Sequence, residues 1–129
     1  MRTPPDHQSA PRSGGSGGLS RLEARLGYTF RDRSVLVRAL THSSHAHESG
    51  GGPDNEPLEF LGDAALGFLV AQALVQRFPT MDEGGLSKFK AFLVSRFNLA
   101  AVARRIDLGD HLILGKAAER ERGRANDSI

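Results

Sequence analysis

The chain contains no cysteine. That excludes a disulfide framework and any thiolate metal site, and it fits a reducing compartment. No apolar run is read as reaching membrane-spanning length without interruption, and the N-terminus has no apolar signal-peptide core. The expectation is therefore a soluble cytoplasmic protein with no membrane partner. No stretch alternates apolar and polar residues as a half-buried strand would, which leaves an all-α domain. Gly50-Gly51-Gly52 is not followed by Gly-Lys-Ser or Gly-Lys-Thr, so a phosphate-cradling loop is excluded as well.

What is present is enough for one domain. The 129 residues are 39% hydrophobic, which permits a modest core. Net charge is only +2, a weak argument for a nucleic-acid partner. The distribution says more. Acids concentrate between Glu48 and Asp63, whereas Lys88, Lys90, Arg96, Arg104, Arg105, Lys116, Arg120, Arg122 and Arg124 crowd the last third. An acidic centre beside basic flanks suits an enzyme that holds a metal and grips polyphosphate. Any one of these bases, taken singly, reads as part of a solvated helix face.

Residues Met1 to Gly18 carry Pro, Ser and Gly with almost nothing apolar and read as a disordered tail. Order is expected from about Leu19 to Ile129. Leu22 and Leu26 predict a short helix ending at Gly27, which can supply a left-handed cap, and Phe30 is expected to plug the core. Val35, Leu36, Ala39 and Leu40 predict a helix over Arg33 to Leu40. A polar loop is expected from His45 to Pro53. A long helix then starts at Asp54 or Asn55, tolerates Pro57 in its first turn, and runs to about Phe78, where Pro79 ends it. Its apolar content predicts burial. Glu83-Gly84-Gly85 reads as a turn. A helix over Leu86 to Val94 should turn Leu86, Phe89, Phe92 and Leu93 inward. Ser95 can cap another over Phe97 to Ile106, terminated by Leu108-Gly109. Phe89, Phe92 and Phe97 have core spacing and are not read as base-stacking platforms. Leu112 to Gly115 leads into a charged loop, and Asp127-Ser128-Ile129 resembles the cap and first residues of a helix that the sequence does not continue. The expectation is a fragment lacking its C-terminal part.

The chemistry concentrates in Glu56, Glu59 and Asp63. They share one helical face, since residues three and four apart stack. Like charges at this spacing cost about 0.2–0.5 kcal/mol per pair even when exposed. The helix dipole favours acids in a first turn by about 0.3–1 kcal/mol each. That accounts for Asp54 and Glu56, accounts less well for Glu59, and does not account for Asp63. Two explanations remain for Asp63: a buried pairing with an Arg of a neighbouring helix, or a shared divalent cation. Without Cys or His on that face, the cation would be hard, Mg²⁺ with Mn²⁺ as substitute. His42, His45 and His47 form a loose cluster with no evident fourth ligand for zinc. A surface loop, or a cap at Thr41-His42-Ser43, is the reading taken.

Asn55-Glu56-Pro57-Leu58-Glu59-Phe60-Leu61-Gly62-Asp63-Ala64 resembles the signature of the ribonuclease III family. Thr41-His42-Ser43-Ser44, Arg77-Phe78-Pro79, Asp82-Glu83-Gly84, Leu86-Ser87, Leu93-Val94-Ser95-Arg96 and Leu114-Gly115-Lys116 follow in the order that family shows. The resemblance implies an all-α endonuclease domain, homodimeric, that cleaves double-stranded RNA with Mg²⁺ in rRNA and mRNA processing. It implies Glu59 and Asp63 as metal ligands, with Asp63 the catalytic carboxylate. Glu56 and Glu83 match acids near the site or the RNA, and Phe60 matches an aromatic that packs across the dimer interface. The family's further Asp and Glu would fall beyond Ile129, as would its double-stranded-RNA-binding domain. Two other functions stay open at this point: a catalytically inactive RNA-binding or assembly domain of the same fold, and a helical interaction module whose acids only cap and pair.

Overall fold

A computed structural model describes residues 16–127. The expected tail before Ser16 and the expected helix start at Ser128-Ile129 lie outside the described residues. Within them the chain is helical: α1 (Ser16–Leu26), α2 (Arg33–Leu40), α3 (Ser43–Glu48), α4 (Glu56–Arg77), α5 (Glu83–Leu93), α6 (Arg96–Arg105) and α7 (Lys116–Arg120), with short 3-10 turns at Leu108–His111 and Gly123–Ala125. No β-strand occurs among the described residues, although Thr41 and Ile113 form one isolated parallel bridge.

The core is built from the N-terminal helices and the residues after α6. Leu22 is fully buried, Leu36 and Leu40 nearly so, and Leu19, Phe30, Ile106, Leu108 and Leu112 pack around them. Burying each such leucine contributes about 1.5–3 kcal/mol. Gly27 ends α1 with a left-handed backbone at φ +66°, as its position predicted. The turn that follows is fastened by Glu23, whose carboxylate is buried. It accepts hydrogen bonds from the Phe30 N–H at 3.0 Å and from Arg33 at 2.7 Å. α1 begins at Ser16, three residues ahead of the expected start of order at Leu19.

The long helix is aimed by its entry. Leu40 and His42 bracket Ile113 through backbone bonds of 2.8 and 3.0 Å, and the Asn55 N–H donates to the Thr41 carbonyl at 2.9 Å. Arg38 Nε donates to the Asp54 carbonyl at 3.0 Å. α4 therefore starts from a segment anchored to the core. Asn55 occupies its N-cap with no side-chain bond, and the Asp54 carboxylate receives the Glu56 N–H instead, at 3.1 Å.

Several expectations need correction. α4 is not a buried helix: Leu74 is its only buried residue, and Phe60, Leu61, Phe68, Leu69 and Val75 are exposed. Its apolar content is real, but within one chain only α5 packs extensively along it. By length and composition α4 could also cross a membrane, contrary to the expectation that no apolar run reaches that length, and 6% of its most apolar stretch is buried. Glu83-Gly84-Gly85 is the first turn of α5 and no separate turn, because the Asp82 carboxylate accepts the Gly85 N–H at 2.8 Å and caps the helix there. Phe92 and Phe97 are 60% and 72% exposed, so the inward reading fails for them, as it does for Leu93; Phe89 stacks on Phe78 with ring centroids 5.4 Å apart. α6 ends at Arg105 with Ile106 as its cap, and Asp107, in the left-handed region at φ 53°, follows just before Leu108-Gly109.

The loops expected after the Thr41 segment and after Gly115 hold short helices, α3 and α7. His42 caps α3, its Nδ1 accepting the Ser44 N–H, so the capping role read for Thr41-His42-Ser43 is what the structure has. α7 is capped from a distance: the Glu48 carboxylate accepts the Lys116 and Ala117 N–H groups at 2.8 and 3.2 Å, and Ser44 Oγ accepts the Gly115 N–H at 2.9 Å. A Cβ at Gly115 would stand 2.6 Å from that carboxylate, so only glycine admits the contact.

Candidate active site

The acidic stripe sits on the exposed first half of α4. Glu56, Glu59 and Asp63 are all exposed, and no salt bridge to any of them occurs among the described residues. That removes one of the two explanations for Asp63, a buried carboxylate paired with a neighbouring Arg. Glu59 and Asp63 lie one turn apart on continuous helix.

Asp63 opens onto a cavity of about 260 Å³ between α4 and α5, lined by Asp63, Ala64, Gly67, Phe68, Lys90 and Val94. Lys90 lies against Gly67, while Phe89, one residue earlier, packs against Phe78 at the end of α4, so α5 crosses α4. Glu83 opens α5 and does not line the cavity. The structure brings Glu59 and Asp63 together, keeps Glu56 on the same face one turn earlier, and leaves Glu83 apart from them within one chain. No cluster of three or more metal-ligating side chains occurs among the described residues.

The two carboxylates fit part of a hard cation's shell. Both are oxygen donors and both are free of protein counter-ions. An octahedral ion that keeps several waters accepts two such ligands readily. His42, by contrast, is committed to the α3 cap.

Phe60, one residue after Glu59, is 82% exposed, the most open of the large apolar side chains. Leu61, Phe68 and Leu69 on the same helix are exposed as well. Large exposed apolar patches mark interaction sites.

Sequence reading passed over Lys90 as one solvated base among many. The signal that could have found it is Gly67. A glycine inside a helix costs about 1 kcal/mol relative to alanine, and it flags a close approach.

The carboxylates whose chemistry the fold does shift lie elsewhere. Glu23 is held below its ordinary value of 4.5, first by the Phe30 N–H and then by Arg33, against the opposing effect of burial. Glu48 is lowered by the N–H groups of Lys116 and Ala117, and Asp32 by its bonds to Ser34 at the start of α2. All three are structural caps or turn fasteners.

Comparison with known proteins adds the following. Residues 32–129 match the Ribonuclease-III-like family. The chain is 52% identical over 115 residues to Ribonuclease 3 of Solibacter usitatus, covering 84% of this chain and 42% of that protein. It is 53% identical over 97 residues to Ribonuclease 3 of Corynebacterium glutamicum, covering 75% and 39%. Among solved structures it resembles the nuclease domain of ribonuclease III from Campylobacter jejuni, with a TM-score of 0.80 and 38% identity, covering 85% of this chain and 74% of that one. That domain is described as flexible in the region involved in dimer formation. The chain spans about two fifths of the length of the two Ribonuclease 3 relatives.

Proposed function

Because the chain belongs to the ribonuclease III family, we propose that its residues 19–129 are the endonuclease domain of an enzyme that hydrolyses double-stranded RNA. The observation that carries the reading is the pair Glu59 and Asp63: exposed, one turn apart and without a salt bridge among the described residues, with Asp63 opening onto a cavity.

In this mechanism Glu59 and Asp63 would hold a divalent cation, Mg²⁺ or Mn²⁺. When bound, such an ion lowers the pKa of a coordinated water and offsets negative charge developing on a phosphodiester. Asp63 is the catalytic carboxylate. Its open side toward the cavity lets it accept a hydrogen bond from the attacking water and fix that water's direction. Glu56, one turn earlier on the same face, lies where it contacts the incoming duplex or its ions. Glu83 does not line the cavity, and its part concerns the RNA. The duplex is recognised by A-form shape, through phosphate and 2′-hydroxyl contacts and not by base sequence, which suits rRNA and mRNA processing in the cytoplasm.

A second copy of the chain completes the domain. Phe60 and its apolar neighbours on α4 form the contact, and the resemblance to a dimer-forming nuclease domain supports it.

The described residues supply two clustered acids and no third, which favours as a second reading an RNA-binding or assembly domain without catalysis. One experiment separates the two. Long duplex RNA is incubated with Mg²⁺ and either this chain, a form continued to the length of its relatives, or that longer form carrying Asp63→Asn. The proposal expects cutting by the longer form that the substitution abolishes. Binding without cutting by the longer form would leave the second reading.

A further inference from the structure

Lys90 differs from its neighbours on α5. Lys88, two residues earlier and so on the opposite side of the helix, is exposed, whereas Lys90 is half-buried. It lies against α4 at Gly67: a Cβ there would meet Lys90 Cε and Nζ, each at 3.6 Å. The glycine thus opens a notch in α4, one turn beyond Asp63, and the ammonium group lies in it. Lys90 and Asp63 are the two charged residues lining the cavity between the helices. Among the described residues Lys90 has no carboxylate within 4 Å. A cation is therefore held in a fixed place, partly shielded from water, with its charge unspent, across a cavity from a carboxylate proposed to act on phosphodiesters.

We infer that Lys90 anchors a phosphate oxygen of the RNA strand in this cavity, and so sets the distance between the backbone and Asp63. The inference rests on the nuclease reading and deepens it. The physical need is plain. Glu59 and Asp63 repel an approaching phosphodiester, and a partly desolvated ammonium on the facing helix supplies a fixed attraction at the same place. A cavity of about 260 Å³ admits a phosphate group with waters around it. The competing account is that Lys90 only lays its aliphatic stem over Phe68 and Gly67. Lys90→Met keeps that stem and removes the charge, so it separates the two.

The test is equilibrium binding of a fluorescently labelled RNA duplex by the chain without divalent metal, measured as a function of salt, for the wild type, Lys90→Met, Lys90→Arg and Lys88→Met. Losing one phosphate contact lowers the slope of log affinity against log salt by about one. The expected result is a loss of that size in Lys90→Met, recovery in Lys90→Arg, an unchanged slope in Lys88→Met, and the same melting temperature throughout. A slope unaltered by Lys90→Met, or altered equally by Lys88→Met, overturns the anchor while leaving the nuclease reading intact. Absence of duplex binding by the wild-type chain overturns the anchor as well, while the nuclease reading stands or falls on the cleavage experiment with the longer form.

Discussion

At the scale of single residues, the account separates carboxylates that work for the fold from those that do not. Glu23 is buried and bonded to Phe30 and Arg33, and its pKa lies below 4.5 in the folded chain. A group whose folded pKa is depressed adds stability above its unfolded value, and that stability is lost as pH falls through the folded value. Thermal melts should therefore show stability falling as pH drops from about 4.5 toward the lowered folded value. Glu23→Gln should flatten that dependence while lowering stability at neutral pH. Glu48 follows the same sign. Glu59 and Asp63 behave differently, since neither forms a salt bridge among the described residues. Asp63→Asn should leave the melting temperature at neutral pH unchanged or slightly raised, because a repulsive pair worth about 0.2–0.5 kcal/mol is relieved; Glu59→Gln also gives up a first-turn dipole interaction of about 0.3–1 kcal/mol and should change it little. A clear loss of stability in either variant would point to a structural role.

At the scale of elements, the helices that sequence revealed are those stabilised locally. α2 has a compact apolar stripe, α6 has Ser95 at its cap, and α1 ends on Gly27. α3 has a local cap in His42 that the sequence offered, but α7 was read as a loop because its support is not local. Glu48 caps α7 from 68 residues away in the chain, and no window of neighbouring residues contains that bond. Gly115 is the buried end of the same arrangement. Gly115→Ala would drive a Cβ to 2.6 Å from the Glu48 carboxylate and 2.7 Å from the Ser44 carbonyl. It should cost about 1–3 kcal/mol in a denaturant titration, and the α3–α7 contact should be lost first in hydrogen exchange. Leu22→Ala, in the centre of the core, should cost about 2–5 kcal/mol. The acidic stripe was legible because helical spacing alone places Glu56, Glu59 and Asp63 on one face. That Lys90 lines the cavity and Glu83 does not was not legible, since both depend on how α5 crosses α4.

At the scale of the whole molecule, α4 is the unresolved part of the energetics. Composition predicted its burial correctly as a need and wrongly as a fact within one chain. Phe60 at 82% exposure is a large apolar side chain left to find cover elsewhere. If a second copy supplies it, Phe60→Arg should shift sedimentation from dimer to monomer at micromolar concentration, with the far-ultraviolet helical signal retained. A dimer that survives the substitution would place the contact on another face.

The most direct measurement is a double-mutant cycle on duplex cleavage in Mg²⁺, using the form continued to the length of its relatives, with Glu59→Gln, Asp63→Asn and both together. If the two carboxylates share one ion, each single change should slow cleavage by about a hundredfold or more, and the pair should be scarcely worse than either alone, because groups acting as a unit are not additive. Effects that multiply, or a doubly substituted enzyme that still cuts near the wild-type rate, would contradict the account.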